Sequence, residues 1–182
     1  MLYDGSLDAS GELWGDDTLP DTIKQSHFAS ELKEILEELF DVHHGFFLDE
    51  ESSFFATLGG IGAEDASTPI GEGTVSIASH VEHTILYIDV LGKHMSGTEV
   101  GRVDWDGIWQ RDGQVSPEEW TGLQTRLRDK YAWLIRVIDG VEDWLDHDAV
   151  GAAMIILAHT ASHLGAVRQA HRSIEKRKET NS

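Results

Sequence analysis

Hydrophobic positions in this chain recur mainly at spacings of three and four, the signature of helices that bury one face. Residues 26–44 place Phe28, Leu32, Ile35, Leu36, Leu39 and Phe40 on one stripe, with Glu31, Lys33, Glu34, Glu37 and Glu38 on the other side. Gly45 interrupts that helix. His43 and His44 fall near its end, where a cationic imidazole meets the negative pole of the helix dipole. Residues 48–61, with Phe54, Phe55 and Leu58, predict a shorter helical piece. Residues 63–73 read as a polar linker, because their glycines lack the strand before and the Gly-Lys-Ser/Thr after that a phosphate loop requires.

Residues 74–95 form the next helix, with Thr74 or Ser76 as N-cap. Ile77, Ala78, Val81, Ile85, Ile88 and Leu91 mark its main face, but Leu86, Tyr87 and Val90 make the other side apolar too, as in a buried helix. Residues 96–115 are a long glycine-containing connection that carries Trp105 and Trp109. Loops of that length inside a bundle cross over or cover something, so the two Trp either cap the core or wall a ligand pocket. Ser116-Pro117-Glu118-Glu119 is a capping box that opens a helix over 116–139, and Gly140 closes it. The last helix runs from about residue 148 and frays near Lys178. Its stripe is Val150, Met154, Leu157, Ala161, Leu164 and Val167, among many Gly and Ala that let neighbouring helices approach. Four main helices with no strand pattern predict an all-α protein, a four-helix bundle over 26–178. The long crossover predicts parallel packing of 74–95 against 116–139.

Composition narrows the chemistry. The chain has 14 basic and 33 acidic residues, a formal net charge of -19. That balance opposes nucleic-acid phosphates and anionic membranes, so neither is an expected partner. Residues 1–25 form an acidic N-terminal arm, with Trp14 either packed on the domain or solvated. There is no cysteine, which excludes disulfides, thiolate metal sites and a cysteine nucleophile. No signal peptide and no run of 18 apolar residues is visible, so the cytoplasm is the default location.

Histidine carries the candidate chemistry. Two close pairs, His80/His83 and His159/His163, lie in strongly apolar helical stretches. Residues four apart on a helix share a face, so His159 and His163 project together. With 10 histidines in the chain, the pairs alone are weak motifs. Their setting matters more, because a buried imidazole needs a partner: a metal ion, another histidine or a carboxylate.

His-Thr-Ala-Ser-His-Leu-Gly-Ala-Val-Arg-Gln at 159–169 resembles the last-helix motif of the DinB-like superfamily of metal-dependent proteins. Ser-Ile-Ala-Ser-His-Val-Glu-His at 76–83 resembles the helix that carries its first histidine, and Asp104-Trp105, Trp109, Pro117 and Trp120 resemble the stretch between. The resemblance spans residues 32–169. It implies an up-down-down-up bundle with zinc or nickel on His83, His159 and His163 and open coordination positions. The helical wheel instead favours His80 over His83; the register of Ser76 seven positions before the ligand favours His83, leaving His80 as alternate or outer ligand. Each ligand's second ring nitrogen is expected to meet a carboxylate, carbonyl or water.

The resemblance further implies an enzyme acting on a small-molecule substrate, a transferase that activates an external low-molecular-weight thiol; a metal-dependent hydrolase would use the same ligands. Tyr87, one turn beyond His83, either orients a substrate or packs. The competing reading is a non-enzymatic bundle that forms a homodimer or binds a partner through exposed helix faces.

Overall fold

The computed structural model describes residues 24–71, 74–105, 107, 109, 113–144 and 147–181. Among them are α1 (Gln25–Phe40), α2 (Phe54–Gly59), α3 (Ala63–Ser67), α4 (Ile77–Met95), α5 (Pro117–Asp139) and α6 (His147–Thr180), and no strand. The acidic arm, including Trp14, lies outside the described residues except for Lys24 and Gln25, and Gln25 already belongs to α1.

Several boundaries differ from the sequence expectation for local reasons. α1 stops at Phe40 because the buried Glu38 carboxylate accepts the backbone N–H groups of Phe46, Phe47 and Leu48, at 2.8, 2.9 and 2.7 Å, and folds the chain back. Burial alone would push that carboxyl up; the three N–H bonds outweigh it and hold it below the usual carboxylate range. His43 and His44 therefore belong to this loop rather than to a last helical turn. His43 Nε2 lies 2.8 Å from the Leu48 carbonyl, and His44 Nε2 lies 2.8 Å from Glu37. The piece expected over 48–61 contracts to α2, capped by Ser53, and the stretch expected to be a plain linker contains α3. Ser76, not Thr74, caps α4. The capping box of α5 forms as expected.

Cross-helix pairs fix the directions. Glu82 with Arg126, Asp89 with Lys130 and Gly92 with Trp133 advance together, so α4 and α5 run parallel, as the long crossover requires. His80 faces His163 and His83 faces His159, so α6 runs antiparallel to α4. Lys33 meets Asp139 at 2.6 Å and Phe40 stacks on Tyr131, so α1 runs antiparallel to α5. The core between them is built from residues such as Leu36, Phe40, Ile77, Ile88, Leu127, Leu134 and Ile156, all nearly inaccessible. Removing that apolar surface from water is the main stabilising term.

α6 departs from its expected stripe. Met154 is 60% exposed and Ile155 47%, while Ala152, Ala153, Ile156, Leu164 and Val167 are buried. Ala152 and Ala153 turn inward in its place, so the buried face is offset from Met154. By length and composition alone α6 is also apolar enough to cross a membrane: an 18-residue window has mean hydropathy 1.5, and 33% of it is buried. The expectation that no such stretch exists counted only unbroken apolar runs; averaging spreads the weight of Ile and Leu over Gly, Ala and His. The core helix of a soluble protein passes the same test.

Candidate metal centre

α4 and α6 converge where both present histidines. His80 and His83 sit in the first two turns of α4, and His159 and His163 sit near the middle of α6. His83 is buried and the pair on α6 half-buried. The Nε2 of His159 lies 3.1 Å from the Nε2 of His83 and 3.2 Å from the Nε2 of His163. One ligand atom from each of the three lies within 4.8 Å of the others.

Imidazoles alone do not satisfy this arrangement. His159 Nε2 has two nitrogen neighbours but only one hydrogen or one lone pair to offer. A cation takes all three lone pairs at once. Two nitrogens each ~2.0–2.1 Å from one tetrahedral zinc stand about 3.3–3.4 Å apart, close to the observed separations. The donor set fits a borderline divalent ion such as zinc or nickel, and it holds three protein ligands where a closed structural site uses four.

The electrostatics keep the ligands unprotonated. Burial, reinforced by the neighbouring His83, pushes His159 down to about 4. Burial and the charges of His159, His80 and His83 push His163 down to about 3. Burial lowers His83, and burial with the His83 charge lowers His80. All four are therefore neutral at neutral pH, the state in which imidazole ligates.

Both histidines of α4 reach the centre, in different roles. His83 joins the triad, and the Nδ1 of His80 lies 2.9 Å from the Nδ1 of His163. A proton on His163 Nδ1, donated to His80, leaves His163 Nε2 bare and aimed at the convergence point. His80 thus acts on a ligand rather than as one of the triad. Where a carboxylate, carbonyl or water was expected at each ligand's second nitrogen, His163 Nδ1 meets a fourth imidazole instead. The Nδ1 atoms of His83 and His159 are buried without a hydrogen-bond partner among the described residues.

Aromatic rings enclose the cluster. Tyr87 stacks on His159 with centroids 3.5 Å apart and planes 9° from parallel. Trp109 lies 4.4 Å from the His83 ring and 6.1 Å from that of His163. Trp105 packs on Tyr87 at 4.9 Å and remains 37% exposed. The two Trp therefore cover the histidines, and Tyr87 fixes a ring plane while it packs.

What ties this cover down was not legible in the sequence. The Ser76 hydroxyl accepts from the Ser79 N–H and donates to the Gly113 carbonyl at 3.0 Å. Gly113 has φ +67°, and a Cβ there would stand 2.4 Å from the Ser76 hydroxyl. The Ser67 hydroxyl and the Val115 backbone bond each other as well. The N-cap of the helix that carries two histidines is thus also the anchor of the loop above them. No family model, curated protein or solved structure matches this chain.

Proposed function

We propose that this chain is a DinB-like metal-dependent protein, an up-down-down-up four-helix bundle of α1, α4, α5 and α6 that binds a divalent ion, zinc or nickel, at His83, His159 and His163. The convergence of three neutral Nε2 atoms, two of them 3.1 and 3.2 Å from the third, carries this reading. The helix directions and the crossover support the bundle. When bound, such an ion supplies Lewis acidity that lowers the pKa of a coordinated thiol or water. The protein's own contributions are separable. His80 orients His163, Tyr87 holds the plane of His159, and Trp105 and Trp109 limit water at the mouth. The absence of cysteine matches a thiol that arrives from outside, so the reading extends to transfer of a low-molecular-weight thiol to a small electrophile. Hydrolysis of a small-molecule substrate at the same residues is the alternative reaction. The test is elemental analysis of untagged protein, then a thiol-dependent transferase assay on metal-loaded wild type and His163→Ala. Turnover equal in the two proteins would defeat the transferase reading.

A second reading is favoured by α6. Between Asp148 and Arg168 it carries no charged residue, and its outward face includes Met154, Ile155, Ala158 and Ser162. Two copies of a chain with formal charge -19 repel least where no charge is presented. That face supports self-association into a homodimer, with or without catalysis. Sedimentation of wild type against Ile155→Glu tests it; a monomeric wild type would refute it.

A further inference from the structure

Four of the chain's 14 basic residues, Lys93, Arg102, Arg126 and Lys130, line one cavity of about 530 Å³. Its walls are α4, α5, residues 100–104 and Gly107. That volume lies within the range of small-molecule sites. The floor is apolar, formed by Ile85, Leu86, Val90 and Val103. The rim sets the four cations against three carboxylates, Glu82, Asp89 and Asp104. A local positive excess is unusual in a chain with 33 acidic residues.

The two lysines are positioned. Asp89 holds the ammonium groups of both Lys93 and Lys130 at 2.6 Å, so two positive charges share one carboxylate. Lys130 also lies 4.4 Å from the Trp133 ring, which fixes it from a second side. An ammonium has three donors, and Asp89 engages one from each lysine. The Asp104 carboxylate is turned toward its own loop and accepts from the Gly107 N–H. Val103 and Asp104 face this cavity, whereas the next residue, Trp105, packs toward Tyr87 and His83. The cavity and the histidine cluster thus share one wall but no lining side chain.

We propose that this cavity binds a small amphipathic organic anion, with one carboxylate or phosphate group beside Asp89, on the donors of Lys93 and Lys130 that Asp89 does not engage, and an apolar body on the Ile85, Leu86 and Val90 floor. The site does not depend on metal at the histidines.

The test is calorimetric titration of the purified chain, at low ionic strength, with hexyl phosphate, hexanoate and hexan-1-ol. Saturable binding of either anion at one per chain, with hexanol roughly tenfold weaker or worse, is expected from a charge-assisted contact. The tighter of the two anions assigns the head group. Lys130→Met with Arg102→Ala should weaken binding about tenfold, and added salt should weaken it further. Asp89→Asn, which frees both lysines from their shared counter-ion, should tighten it; an ion-pair network that only braces α4 against α5 gives no such gain. Arg102→Ala alone lies on an exposed segment and keeps the test decisive if Lys130→Met fails to fold. Absence of saturable anion binding, binding unchanged in both Arg102→Ala and the double variant, or hexanol bound as tightly as the anions would overturn the proposal.

Discussion

His163 has an imidazole neighbour at both ring nitrogens, with His159 on its Nε2 side and His80 at its Nδ1. Its removal should abolish stoichiometric metal, while His80→Ala should retain metal at roughly 10–100-fold lower affinity, the usual cost of losing an outer partner. Competition titration with a chromophoric chelator separates the two variants; equal losses would make His80 a ligand. The His159/His163 pair was legible because helical spacing alone puts i and i+4 on one face. The choice between His80 and His83 was not legible from periodicity, because an α4 that is apolar on both sides leaves its wheel undetermined; the register with Ser76 pointed to His83, which is the one in the triad. The structure uses both, one in the triad and one behind it.

At the scale of elements, α4 is held by two close approaches that periodicity could not show. A Cβ on Gly92 would stand 2.5 Å from the Trp133 ring, so Gly92→Ala should separate α4 from α5 and cost about 1–3 kcal/mol, as overpacking does. Chemical denaturation measures this; an unchanged midpoint would mean the ring moves aside freely. Gly113→Ala meets both the Ser76 hydroxyl and an unfavourable φ, which together cost of order 1–3 kcal/mol and should loosen the crossover. Faster quenching of tryptophan fluorescence by acrylamide is the expected readout, and an unaltered quenching rate would dismiss Gly113 as an anchor. Helix existence, the α5 capping box and the parallel α4/α5 pair were readable from pattern, capping chemistry and loop length. The early stop of α1 and the presence of α3 were not: the first depends on Glu38 meeting backbone across the following loop, and α3, at 5 residues, is too short for periodicity to register.

Across the whole molecule, the depressed histidines tie stability to pH. An unfolded imidazole takes a proton near pH 6.5, whereas His159 does so only at about 4 and His163 at about 3. Below about pH 6.5 the unfolded chain binds protons that the folded chain refuses, so metal-free stability should fall as pH drops through the window toward about 4 and be complete above it. Urea melts across that window should show the decline, with a shallower slope in His163→Gln; a flat wild-type profile would count against the burial described. The acidic surface should give no DNA binding at physiological salt, checked by fluorescence anisotropy with a labelled duplex, and salt-sensitive micromolar binding would contradict it. The most direct test of the metal centre is the metal content of untagged protein, by mass spectrometry after loading with zinc or nickel and desalting. We expect about one ion per wild-type chain and almost none in a folded His163→Ala. No ion retained by wild type, or equal retention by the two, would contradict a metal centre at His83, His159 and His163.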